Sequence, residues 1–208
     1  MKNIFVLLFL SLLSFSTFAQ KGKWVELFNG KDLEGWKLSE NPSSFSVVDK
    51  TIKVDGPRAH AFYDGPVGNH DFKNFELKIE VKTMPKANSG IFIHTAYQES
   101  GWPGKGYEVQ VNQSHGDWRK SGSLYSFNDV RDVYVNDGEW YTYHILVNGD
   151  KATVKINDKV VMEYDESEDS KRPANVGDKK FSSGTIALQA HDPESVIFYR
   201  SVKVKILD

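Results

Sequence analysis

Residues 75–83, FELKIEVKT, alternate without a break, with Phe75, Leu77, Ile79 and Val81 on one side and Glu76, Lys78, Glu80 and Lys82 on the other. Residues two apart share a face only in an extended chain, so the pattern predicts a strand with one apolar and one wet face. The same period runs through WYTYHILVNGDKATVKINDKVVMEY, which predicts three strands and two tight turns. Asn148-Gly149-Asp150 and Asn157-Asp158 supply the positive-φ residues that hairpins need. VIFYRSVKVKIL predicts a long alternating strand at the end of the chain, and TIKV, SGIFIHTA, GYEVQV and GTIALQAH predict shorter ones. Helical periodicity is nearly absent. About eleven to thirteen strands, punctuated by Gly and Pro, predict an all-β sandwich or barrel.

The first residues, MKNIFVLLFLSLLSFSTFAQ, stand apart from this pattern. Lys2 precedes an apolar run from Ile4 to Phe15, broken only by serines, and Thr17 and Ala19 are small residues before a cut at Gln20. Residues 1–19 are expected to be a signal peptide, because the run is too short to favour a membrane span. The mature chain, 20–208, is then one exported domain, periplasmic or extracellular, of a size that all-β sandwiches reach undivided. It has no Cys. Neither a disulfide nor a lipid-modified cysteine is available, and stability must come from the core. With 26 basic and 28 acidic residues, net −2, neither nucleic acid nor an anionic membrane is an expected partner. The stretch DESEDSKRPANVGDKK (165–180) is expected to be a long surface loop. Its acidic start is a candidate calcium ligand set, with a plain solvated loop as the simpler account.

Several strands break the usual rule of Lys, Glu and Thr on the wet face. YEVQV puts Glu108 and Gln110 on one side, ALQAHD does the same for Gln189 and His191, and SGIFIHTA sets His94 opposite Ile91 and Ile93. Tyr125 follows a Gly-Ser turn signal and is expected to reach the same face. Carboxamides donate and accept at once, which suits sugar hydroxyls. Trp102 and Trp118 sit in loops where they could stack on a sugar or simply anchor the loop. For each strand position the plain alternative is an ordinary solvent-facing site.

At these residues the chain resembles a family, the domain of unknown function 1080, also called 3-keto-disaccharide hydrolase domains. LFNGKDLEGWK (27–37), NSGIFIH (88–94), GYEVQV (106–111), GSLY (122–125) and GTIALQAHDPESVIFYRSVKVKIL (184–207) match its motifs in order. The resemblance spans essentially the whole mature chain. It implies a concanavalin A-like jelly roll of two curved antiparallel sheets, with a site on the concave face that acts on oxidised sugars. Family members often read Phe-Arg-Asn where this chain has Phe198-Tyr199-Arg200-Ser201.

Jelly-roll glucanases carry Glu-x-Asp-x-x-Glu on one strand. Here the comparable positions are Glu108, Gln110 and Gln113, so one carboxylate of three is present unless Asp117 or Asp192 joins it. Ordinary glycoside hydrolysis needs two. A 3-keto sugar asks for less: one base for the acidified C2 proton, one acid for the leaving oxygen, and donors around the C3 oxygen. The expected assignment is His191 or His94 as base and Glu108 as acid, with Gln110, Gln189, Tyr125 and Trp102 binding the sugar. No cofactor is required. A variant has His94, His191 and Glu108 hold a divalent metal. A non-catalytic carbohydrate-binding module and a conventional glucanase are the alternatives.

Overall fold

The computed structural model describes residues 21–172 and 176–207, so the expected signal peptide lies outside the described residues, as does the middle of the 165–180 loop. Thirteen strands are found among the described residues. In chain order they are β1 (Trp24–Glu26), β2 (Trp36–Leu38), β3 (Phe45–Val48), β4 (Thr51–Asp55), β5 (Ala59–Tyr63), β6 (Phe75–Thr83) and β7 (Asn88–Thr95). There follow β8 (Tyr107–Asn112), β9 (Tyr141–Asn148), β10 (Lys151–Ile156), β11 (Lys159–Asp165), β12 (Thr185–Ala190) and β13 (Val196–Ile206). All pairings are antiparallel. The larger sheet runs β11-β10-β9-β6-β13-β4-β3, and β1 pairs with the Lys203–Lys205 part of β13. The smaller runs β2-β5-β12-β7-β8.

Alternation explains the larger sheet directly. Along β6 every second side chain from Phe75 to Val81 is buried, and its partner β9 buries Tyr141, Tyr143, Ile145 and Val147. These face Ile91, Ile93, Val109, Val111, Ile186 and Leu188 from the smaller sheet, forming one core between the layers. Both expected hairpins form: Gly149 has φ +60°, and Asn157 and Asp158 have φ 47° and 66° between the paired Ile156 and Lys159.

The long terminal strand departs from strict alternation. Its buried positions are Ile197 and Tyr199, then Val202 and Val204, so their parity changes. A bulge between Arg200 and Lys203, with Ser201 at φ 53°, absorbs the extra residue and keeps valines rather than lysines inside. Arg200 pairs with Glu80 at 2.9 Å and lies over the Trp140 ring at 4.0 Å, on the larger sheet.

The three inner strands of the smaller sheet are buried on both faces. Every residue of β5, β7 and β12 is buried, which alternation alone does not foretell. Three hydroxyls tie its inner side to the larger sheet. Tyr143 Oη donates to the Gln110 carbonyl at 2.6 Å, and Ser89 Oγ bridges the Gln189 carbonyl (2.6 Å) and Tyr199 Oη (2.7 Å). The strands carrying Gln110 and Gln189 are thereby held from below.

Candidate active site

Across the outer face of the smaller sheet, strand register lines up polar groups at right angles to the chains. His60 on β5 pairs with Gln189 on β12, and Gly90 on β7 pairs with Gln110 on β8. The next rung holds Phe62, Ala187, Phe92 and Glu108. Phe62, Phe92 and Ala187 form a small apolar cluster of their own. Glu108 is the exception in that rung. Its carboxylate leans back over Gly90, where an added Cβ would stand 2.4 Å from Oε1 and 2.8 Å from Cγ. Glycine at position 90 is what leaves room for it.

Loops wall this face into a cavity of about 340 Å³. Glu108, Gln110, Gln189 and His191 enter from the sheet, with Asn88 from the start of β7. Trp102, Asp117, Tyr125 and Lys179 enter from three loops. Trp102 lies 5.3 Å from the His191 ring on one side and meets the Arg58 guanidinium at 5.1 Å. Arg58 is fixed by Glu40 at 2.9 Å, and Glu40 also accepts the Gly101 amide at 3.2 Å, which anchors the Trp102 loop. Beneath Trp102, His60 is fully buried among Phe62 and Phe92, and burial holds its pKa down to about 4. It is a neutral group packed under the Trp102 ring, whose centroid lies 5.9 Å away.

Two groups have the makings of an acid and a base. Burial strips water from the Glu108 carboxyl and pushes its pKa up to about 7, against smaller opposing effects from the Gln189 hydrogen bond (3.1 Å) and the Lys179 charge. It is therefore partly protonated at neutral pH. His191 Nδ1 lies 2.7 Å from Asp192 Oδ2. A carboxylate only accepts, so Nδ1 carries a hydrogen, and in the neutral ring Nε2 is the nitrogen with the lone pair. Burial raises the Asp192 carboxyl, but the bonds from His191, Ser195 (2.8 Å) and the Glu194 amide (2.8 Å) outweigh it and hold it ionised.

Of the side chains singled out in the sequence, Glu108, His191, Gln110, Gln189, Tyr125 and Trp102 meet in this one cavity. His94 does not. β7 bulges there: pairing with β12 skips from Thr95–Thr185 to Phe92–Ala187, and His94 takes φ 54°. The bulge turns the ring into the core between Phe75 and Phe181. Nε2 donates to the Lys73 carbonyl at 2.8 Å and Nδ1 accepts the Ser182 amide at 3.1 Å, so both nitrogens are spent. The expected base His94, and the His94–His191–Glu108 metal set with it, are corrected on this ground. Among the described residues no cluster of three or more His, Cys, Asp or Glu is spaced to hold a metal ion.

Other expectations shift as well. Gln113, the third glucanase-like position, is buried and donates to Tyr141 Oη at 2.8 Å on the core side. The acidic start of the 165–180 loop is engaged by the protein itself: Asp165 with Lys151 at 2.7 Å, Glu166 with Arg172 at 3.2 Å, Asp169 with Tyr164 at 2.8 Å. The same loop brings Lys179 to the cavity, where burial lowers the pKa of its ammonium. Trp118 lies under Arg119 and Arg131 at 4.6 and 4.1 Å, outside the cavity lining.

A family model described as a 3-keto-alpha-glucoside-1,2-lyase-like domain matches residues 23–205. The chain belongs to this family. A 3-keto-disaccharide hydrolase from Bacteroides thetaiotaomicron is 27% identical over 232 residues, covering 89% of this chain and 79% of the relative. With a member of the 3-keto-alpha-glucoside-1,2-lyase-like family in hand, the sheets and cavity read as those of a carbohydrate-active enzyme of the hydrolase or lyase type. The solved structure of a candidate glycosyl hydrolase from Parabacteroides distasonis has a TM-score of 0.75 at 24% identity, covering 89% of this chain and 94% of that one. A Bacillus subtilis protein with a galectin-like fold has a TM-score of 0.61 at 10% identity, covering 88% and 94%. These two likenesses concern the fold, an all-β jelly roll of the concanavalin A type.

Proposed function

We propose that the chain is an exported enzyme that cleaves 3-keto-glycosides at the C1 bond by elimination. The observation that carries the reading is the meeting, in one sugar-sized cavity, of a carboxyl raised to neutral pH and an imidazole oriented by a carboxylate. Family membership and the curated relative support the choice of keto sugars.

The ketone at C3 acidifies the hydrogen on C2. His191 Nε2 takes that proton, and the electron pair delocalises onto the C3 oxygen as an enolate. Asp192 holds the resulting imidazolium. The enolate then re-forms its carbonyl, a C1–C2 double bond forms, and the C1–O bond breaks. Protonated Glu108 gives its proton to the departing oxygen, so the aglycone leaves as an alcohol. Water added across the double bond afterwards completes net hydrolysis. His191 serves as the base because its Nδ1–H is already committed to Asp192, and Glu108 as the acid because it retains a proton at neutral pH.

One observation favours a second reading. Asp117 lines the same cavity and raises the Glu108 pKa further by its charge, so a second carboxylate is at hand for ordinary glycoside hydrolysis. A panel of 3-keto and unoxidised disaccharides separates the two. We expect cleavage of the keto sugars alone, with Glu108→Gln and His191→Ala each at least about 100-fold slower. Cleavage of unoxidised sugars, or both variants near wild-type rates, overturns the proposal.

A further inference from the structure

The hydrogen-bond wiring of the cavity fixes which way its carboxamides face. The Asp117 amide donates to His115 Nδ1 at 3.0 Å, and a backbone N–H can only donate, so that nitrogen is an acceptor. Asn88 Nδ2 stands 3.4 Å from the same nitrogen and must therefore be the NH2 end of its amide. Asn88 Oδ1 then receives Gln110 Nε2 at 2.8 Å. Gln110 Oε1, in a residue that lines the cavity, is left buried and without a hydrogen-bond partner among the described residues. Gln189 repeats the arrangement from the other side. Its Nε2 donates to Glu108 Oε1 at 3.1 Å, which leaves Glu108 Oε2 as the oxygen that carries the acid proton. Gln189 Oε1 is likewise buried and unpartnered among the described residues. Both residues are 1% exposed.

Two buried carbonyl oxygens can be satisfied only by groups that carry a hydrogen. Sugar hydroxyls qualify, and a ketone oxygen does not. The keto oxygen must find donors elsewhere in the cavity. Tyr125 Oη faces Asp117 Oδ2 at 3.4 Å. Lys179 Nζ gives one hydrogen to the Pro103 carbonyl at 3.1 Å and keeps two without a partner among the described residues, on a half-buried cation beside Glu108.

We infer that the cavity sorts its polar groups by hydrogen-bond sense: Gln110 and Gln189 take substrate hydroxyls, and Lys179 takes the C3 oxygen and stabilises the enolate. The inference rests on the 3-keto reading above and adds to it a catalytic residue and an orientation for the sugar ring. A positive charge aimed where negative charge develops acts on the transition state, whereas a hydroxyl acceptor acts on ground state and transition state alike.

Steady-state kinetics on a 3-keto disaccharide separates these roles. Lys179→Met should lower kcat about 100- to 1,000-fold with KM within threefold, and Lys179→Arg should recover at least a tenth of the wild-type kcat. Gln110→Leu should instead raise KM about tenfold with kcat within threefold. Melting temperatures close to wild type establish that each variant is folded. If wild type cleaves the keto sugar and Lys179→Met does so within threefold in kcat, the Lys179 assignment falls and the keto-sugar reading stands. If Gln110→Leu loses kcat at unchanged KM, the sorting falls. If wild type leaves the keto sugar intact, both readings fall together.

Discussion

Glu108 meets two demands at once: it must hold a proton at neutral pH, and it must lie across a neighbouring strand. Burial meets the first and Gly90 the second. As the acid it works only when protonated, so kcat/KM should fall on the alkaline side with an apparent pKa of about 7. That limb should vanish in Glu108→Gln. Folding raises this pKa from 4.5, so Glu108 favours the native state at low pH and withdraws up to about 3 kcal/mol as pH climbs through 7. Glu108→Gln should accordingly melt above wild type at pH 8 and not at pH 5. A flat alkaline profile in wild type would remove Glu108 from the acid role. Glu108, Gln110 and Gln189 were legible in the sequence because a two-residue period puts side chains on a face without further information. Asp117 could be named only as a candidate second carboxylate beside Glu108, and Lys179 not at all, because no periodicity reports where a loop travels.

At the scale of strands, the same period misleads wherever an extra residue enters. His94 belongs to the site face by counting from Ile91 and Ile93, and the bulge sends it to the core. A signal was present in the neighbouring glycines. A Cβ at Gly106 would stand 2.1 Å from the Ile93 carbonyl, and one at Gly184 would stand 2.3 Å from the Thr95 carbonyl, so both flanks of the bulge admit only glycine. The hairpins, by contrast, were readable because their turn residues act locally. The site strands also depend on hydroxyls that no pattern reveals. Ser89→Ala leaves Tyr199 Oη buried without its partner, and should lower stability by about 1–3 kcal/mol in urea unfolding. The double variant Ser89→Ala/Tyr199→Phe should cost less than the sum of the single changes, since it removes both ends of the bond. Strict additivity would mean that the hydroxyl bridge does not act as a unit.

For the molecule as a whole, the two sheets divide the work. The larger sheet alternates apolar and charged side chains and needs no second layer outside, as Arg200, Glu80 and Trp140 illustrate. The three inner strands of the smaller sheet are buried on both faces, by the core beneath and by loops above, and burial under those loops is what shifts Glu108 and wires the carboxamides. A cysteine-free chain holds this arrangement through its core and the hydroxyl bridges between layers. The central claim is that C2 of a 3-keto glycoside loses its proton before the C1 bond breaks. Its most direct test is turnover, in ordinary water, of a 3-keto disaccharide carrying deuterium at C2, with the keto-sugar product analysed by mass spectrometry and NMR. Elimination through His191 predicts a slower reaction than with hydrogen at C2 and loss of the deuterium from the product; full retention of the label, with no isotope effect, would contradict it.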